Sequence, residues 1–307
     1  MTDQRWFHRR GELARDGWES VVDGATPGWE HTGIRVAELV DGDHLALTET
    51  GVERIVVPLA GSFFVTHHHH PGEWETLLHG RASVFAGATD VLYLPSGTTA
   101  EIRGRGRVAV AEAPTTERRA WQYIAASDTP VELRGKGASS RQVHNFGTPQ
   151  ALDAARLIVC EVITPAGNWS SYPPHKHDEH VPGHESRLEE IYYFETAPTR
   201  GAAASVDPHS AFGMFSAYSS PAGEIDVNAM VRTGDIALVP YGYHGPAVAA
   251  PGYDLYYLNV MAGPDPDRAW LITDDPAHAW VRASWDEQRL DPRLPFTGDT
   301  RKAGANG

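Results

Sequence analysis

The sequence predicts an all-β protein built from two jelly-roll β-barrels, on three observations. Its 30 glycines and 22 prolines are scattered through 307 residues in short turn clusters rather than gathered into one linker. Between the clusters lie short runs rich in β-branched and aromatic residues, such as Val108-Ala109-Val110-Ala111 and Leu255-Tyr256-Tyr257-Leu258-Asn259-Val260. Many short strands at turn-separated intervals indicate a sandwich or barrel. The third observation is an internal echo: Thr89-Asp90-Val91-Leu92-Tyr93-Leu94-Pro95-Ser96-Gly97 resembles Gly234-Asp235-Ile236-Ala237-Leu238-Val239-Pro240-Tyr241-Gly242. Each is an acidic residue, a four-residue apolar strand and a Pro-x-Gly turn. Long helical periodicity is scarce, and Ala151-Leu152-Asp153-Ala154-Ala155 is too short for a helix of consequence. The repeat predicts barrels over residues 1–140 and 141–307, the second carrying a C-terminal extension, with a polar, turn-rich boundary within 115–150.

Composition narrows the function. A hydrophobic fraction of 41% with 21% charged residues is that of a soluble globular chain. The net charge of −14 argues against binding nucleic acid or an anionic membrane, which needs clustered Lys and Arg. It leaves room for a small anionic substrate, which needs only a few local cations. Residues 1–10 are polar, with no apolar run of signal-peptide or membrane-spanning length, so a cytoplasmic location is expected. The single cysteine, Cys160, sits in a strand-like run and reads as a small buried hydrophobe rather than a nucleophile.

The second half carries the chemistry. In Pro173-Pro174-His175-Lys176-His177, two prolines hold the chain extended, and alternation puts His175 and His177 on one face with Lys176 on the other. Glu189 and Glu190 are adjacent, so only one can face the same point. Glu190 heads the run Ile191-Tyr192-Tyr193-Phe194 and is the expected ligand, leaving Glu189 to face outward or to pair with Arg187 or Lys176. His244 follows the Pro240-x-Gly242 turn. Three imidazoles and one carboxylate suit a catalytic divalent metal with open positions, zinc or manganese before iron or nickel. The polar stretch between the second histidine and Glu189 reads as a solvated loop, from which one of His180, His184 or Arg187 could reach the mouth of the site. Tyr257 and Asn259 share a strand face, opposite to Tyr256 and Leu258, and one of the hydroxyls could line the pocket.

This order of motifs resembles a bicupin. More narrowly, the chain resembles the 5-deoxy-glucuronate isomerase family of bacterial myo-inositol breakdown. It is similar, more distantly, to the 4-deoxy-L-threo-5-hexosulose-uronate ketol-isomerases. The matching residues run from Glu161 to Asp178, through Leu188-Glu189-Glu190-Ile191-Tyr192-Tyr193 and Gly234 to His244, then from Gly252 to Gly263 and from Thr273 to Pro276. The first half matches more thinly, at Ser83-Val84-Phe85, Asp90 to Pro95 and Arg141-Gln142-Val143-His144. This chain departs from the family at Phe215-Ser216, where a Gln-Arg pair is usual, so its anion contact is expected to differ. The run His67-His68-His69-His70 fits a cupin first motif letter by letter, with Gly61, Glu73 and Gly80. However, the place of a third histidine is taken by Ala100, and the turn at Pro95 follows too soon. The expectation is that the run lies in a hairpin connection and binds no functional metal.

The resemblance implies conversion of 5-deoxy-D-glucuronate to 5-dehydro-2-deoxy-D-gluconate by a homo-oligomer. Such an isomerisation needs a Lewis acid to stabilise an enediolate and a base of near-neutral pKa to move a proton between neighbouring carbons. The sequence does not name that base. A metal-dependent dioxygenase, or a sugar-binding cupin without activity, would use the same ligand set.

Overall fold

A computed structural model describes residues 5–297, and strands account for most of its regular structure. Among the described residues, the α-helix is the single turn Val281–Ser284. The first half forms an eight-stranded sheet whose two long members, Val52–His69 and Thr99–Pro114, pair along most of their length. Glycines bend them. A Cβ on Gly61 (φ +91°) would lie 1.9 Å from the Arg105 carbonyl oxygen, and one on Gly106 (φ +121°) 2.0 Å from that of Ala60. Only glycine permits this close crossing, which lets each long strand serve both walls of the barrel.

The second half is a two-sheet barrel. One sheet has seven strands in the order Phe7–His8, Ile236–Val239, Glu189–Pro198, Tyr253–Ala262, Ile158–Thr164, Arg141–Gly147, Val131–Arg134. The other contains Gly223–Val231, Gly213–Ser220, Tyr243–Ala249, His175–Lys176 and Thr273–Asp274 in sequence, with Trp169–Ser170 alongside Tyr243–Ala249. The amino-terminal strand Phe7–His8 thus crosses to the far half.

The halves pack back to back. Along Val52–His69, Val56, Phe63 and Val65 enter the first barrel's own core. Ile55, Val57 and Leu59 point the other way, into a larger core shared with Ile158, Tyr193 and Ile236 of the second half. Both faces of these central strands are therefore apolar and buried, which explains their unbroken hydrophobic runs.

Two carboxylates latch the interface reciprocally. Glu53 of the first barrel accepts backbone N–H groups of Ala155, Arg156 and Leu157 at 2.7, 2.6 and 2.7 Å. Glu189 of the second accepts those of Glu30, His31 and Thr32 at 3.0, 2.7 and 3.3 Å. In each case the three N–H groups lie in the loop just before a strand of the opposite barrel, Ile158–Thr164 and Gly33–Leu39 respectively. A third tie is the buried pair Arg81–Glu161 at 2.6 Å.

Candidate active site

Four elements converge at one end of the second barrel. His175 lies directly opposite both His244 and Asp274 in antiparallel register, so the three side chains share a face. His244 is brought in by the Pro-x-Gly turn, where Gly242 takes φ +99° and a Cβ would strike Ile225 and the Tyr218 carbonyl. Glu190 enters from the Glu189–Pro198 strand, on the face that also carries Tyr192 and Phe194.

The imidazoles are oriented from behind. Each Nδ1 meets a backbone carbonyl: His175 that of Pro173 at 3.3 Å, His177 that of Leu188 at 3.1 Å, His244 that of Gly242 at 3.1 Å. A carbonyl only accepts, so each Nδ1 carries the proton and each Nε2 is left with a lone pair. The ligand-capable nitrogens of the three rings lie within 4.8 Å of one another. Glu190 Oε2 lies 2.9 Å from His177 Nε2 and 3.0 Å from His244 Nε2. Yet His244 Nε2 makes no hydrogen bond of acceptable geometry, although it is fully buried.

Lone pairs and a carboxylate oxygen pointing at one another repel unless a cation lies among them. Burial opposes ionisation of Glu190, but the neighbouring His177 and His244 outweigh it and hold its carboxyl far below the usual range. Burial, with the neighbouring His244 and His177, drives His175 the other way, toward the neutral ring. A neutral ring beside an ionised carboxylate is the state in which these groups ligate. The donor set therefore fits a divalent ion.

Lys176 points away, as alternation requires. Its ammonium fills the acidic nest of Asp178, Glu179 and Glu185, with a 2.8 Å contact to each, so that second cluster of carboxylates already holds its cation.

Beside the histidines opens a cavity of about 350 Å³, reached by His175, Glu190, Tyr192, Tyr257 and Asn259. Tyr192 Oη and Ser171 Oγ share a hydrogen bond of 2.8 Å at its edge. The opposite wall was not legible in the sequence. It comes from Arg134 and Arg141 on neighbouring strands and from Trp270, Ile272, Asp274 and Arg282 of the C-terminal extension. Arg282 grips Asp274 with two hydrogen bonds, of 2.5 and 2.7 Å.

Several expectations need correction. Glu189 neither faces outward nor pairs with Arg187 or Lys176; it is buried on the interface, taken up by backbone N–H groups more than 150 residues away in sequence. None of His180, His184 and Arg187 lines the cavity, since His180 and Arg187 both bind Asp265. Of the histidine run only His70 lies in the hairpin turn. His67 to His69 end the strand Val52–His69, where His67 is fully buried and sits opposite Ala100 and Trp74. His67 and His69 stack with Trp74, at 5.9 and 4.1 Å between ring centroids. Phe215 packs on Tyr192 and Phe194, while Ser216 bonds Asn228. Neither residue lines the cavity, whose arginines, Arg134, Arg141 and Arg282, come from other segments. Cys160 is buried, which pushes its thiol pKa up, in keeping with an inert core residue.

The signature of the KduI/IolB family matches residues 6–281. The chain belongs to this family. This KduI/IolB protein is 39% identical over 260 residues to a 5-deoxy-glucuronate isomerase of Geobacillus thermodenitrificans, spanning 84% of this chain and 88% of that one. The corresponding isomerase of Geobacillus kaustophilus is 39% identical over 280 residues, spanning 90% and 93%. Among solved structures, an IolB-like protein from Salmonella typhimurium LT2 superposes with a TM-score of 0.78 at 33% identity, over 90% of this chain and 98% of that one. Lactobacillus farciminis oxalate decarboxylase aligns over 89% of each chain with a TM-score of 0.61 at 10% identity, a likeness of fold alone. The KduI/IolB protein is thus an all-β bicupin.

Proposed function

We propose that this KduI/IolB protein is a metal-dependent aldose–ketose isomerase that converts 5-deoxy-D-glucuronate to 5-dehydro-2-deoxy-D-gluconate. Its relatives bear the name of that activity. The observation that carries the reading is the convergence of three imidazole nitrogens and Glu190 on the wall of a cavity sized for one monosaccharide. His175, His177, Glu190 and His244 would hold the divalent ion, zinc or manganese before iron or nickel, which when bound supplies Lewis acidity to neighbouring substrate oxygens.

The remaining groups divide by chemistry. Burial raises the Tyr192 and Tyr257 hydroxyls above their usual range, reinforced at Tyr192 by the Glu190 charge and only partly offset at Tyr257 by Ser170, Arg141 and Ser171, so both stay protonated and act as donors. Asp274 is the other carboxylate among the cavity's lining residues. It lies on the His175 face, oriented by Arg282, and we assign it the proton that moves between adjacent carbons. Trp270 and Ile272 close the apolar side and shed water.

The test is incubation of metal-loaded protein with 5-deoxy-D-glucuronate in heavy water without oxygen, followed by NMR. The expected product has the substrate's skeleton and carries solvent deuterium at the carbon that accepts the proton. Stoichiometric oxygen uptake would move the protein to the dioxygenases, and a bound but unchanged acid would make it a sugar-binding cupin.

A further inference from the structure

Arg141 is a buried cation without a buried anion. The residue is 4% exposed, it lines the cavity that His175 and Glu190 border, and its one side-chain hydrogen bond runs from a guanidinium N–H to the Ser139 carbonyl at 2.9 Å. Among the described residues, no carboxylate lies within ion-pair distance of it. Its neighbours differ. Arg134, directly opposite it across the strand pair, is held by both oxygens of Glu132 at 2.9 and 2.7 Å, and Arg282 by both oxygens of Asp274. Like charges directly opposite in a sheet are destabilising, and a buried charge without its counter-ion more so. Burial first, and then the charges of Arg134 and Arg282, pull the Arg141 guanidinium down to about 10.

The fold nevertheless makes room for this cost. Gly135 takes φ +73°, and a Cβ there would lie 2.6 Å from the Arg141 guanidinium. The guanidinium carbon sits 5.4 Å from the Trp285 ring, as does that of Arg282. Two further lining residues hold donors with no partner, Asn259 Nδ2 and Trp270 Nε1. A cavity with one uncompensated positive charge and spare N–H donors calls for an oxygen-rich anion.

We propose that Arg141 binds the carboxylate of the substrate in this cavity, and so makes the site selective for acid sugars over neutral ones. The proposal rests on the isomerase reading for the identity of the substrate. It does not depend on turnover. Arg134 and Arg282 each have a carboxylate partner already, so the charge free to meet a ligand belongs to Arg141. The guanidinium fork matches a carboxylate bidentately, whereas an ammonium meets it only as a point charge.

Metal-loaded wild-type, Arg141→Met and Arg141→Lys proteins would be titrated calorimetrically with D-glucuronate and D-glucose as acid and neutral probes. Wild type is expected to favour the acid roughly ten- to hundredfold, the range of a charged hydrogen-bonding contact. Arg141→Met should erase that preference while keeping its metal, and should melt no lower than wild type because a buried charge has been removed. Arg141→Lys should restore part of it. An acid preference surviving in Arg141→Met, or absent from wild type, would overturn the assignment. Selective binding through Arg141 in a protein that does not convert 5-deoxy-D-glucuronate would uphold the anion site and remove the isomerase reading.

Discussion

The two barrels treat one position in opposite ways. In the second, Glu190 faces Val239 across the strand pair, at the end of the strand leading into Pro240. In the first, the residue facing Leu94, just before Pro95, is Arg54. Across the next strand, Glu190 is opposite Met261, whereas Arg54 is opposite Glu112. Arg54 is 1% exposed, and its Nε donates to Glu112 Oε1 at 2.7 Å, while Arg35 takes the other oxygen at 2.9 Å. The first barrel thus balances its buried charge internally. In the second, the carboxylate is surrounded by lone pairs, and balance needs an ion from outside. A barrel position becomes inert when it holds both signs of charge, and chemically able when one sign is missing.

The sharpest way to break this comparison is to empty the second barrel. His175→Ala, His177→Ala, His244→Ala and Glu190→Ala are each expected to lose bound metal and, with it, turnover. Glu189→Ala should keep its metal, being turned to the interface. Elemental analysis of the purified proteins decides, and full metal content in the His175 variant would refute the ligand set. Next comes Asp274→Asn, expected to retain metal but lose roughly 10²- to 10⁴-fold in kcat, the usual share of a general acid–base. Steady-state kinetics at matched metal content check it.

The first barrel should respond in stability instead. Arg54→Met strands Glu112 without its main partner and should cost about 3–5 kcal/mol, seen in denaturant melts, with metal content unchanged. Metal loss in that variant would show that the halves are not separable in this way. At the interface, burial opposes an ionised Glu161, but Arg81 and His144 outweigh it and hold its pKa at about 2. A depressed carboxyl pKa stabilises the fold fully above the unfolded-state value near 4.5. That stability is lost as pH falls from there toward 2, by roughly 3 kcal/mol in all. Glu161→Gln should flatten this stretch of the stability profile; an equally steep profile would contradict the linkage. The smallest effect on catalysis is expected from replacing His67 to His70 with Ser. Melting temperature should fall as the stack on Trp74 is lost, yet kcat/KM should stay within about tenfold, or roughly 1.4 kcal/mol.

What could be read from the chain follows a simple division. His175, His177, Glu190 and His244 were legible because strand alternation and one glycine turn, all local rules, place them. The repeated strand and turn announced the two barrels for the same reason. The cavity's far wall was not legible, since Arg134, Arg141 and Arg282 reach it through strand pairing and a C-terminal segment returning across the barrel mouth. The place of Glu189 is not legible either, because its partners are main-chain N–H groups, which leave no trace in side-chain identity. A run of four histidines looks polar and reads as a connection, whereas two tryptophans from other segments, Trp74 and Trp121, bury His67.

The reciprocal latches of Glu53 and Glu189 bear on how the chain is made. When the first barrel has emerged from the ribosome, Glu53 still lacks the amides of residues 155–157, and the loop 30–32 still lacks Glu189. Its outward apolar face, with Ile55, Val57 and Leu59, is also uncovered. The early half must therefore wait, partly formed, until the late half is synthesised, and the two should then lock together in one cooperative step. Calorimetry of the finished protein would accordingly show a single transition rather than one for each barrel.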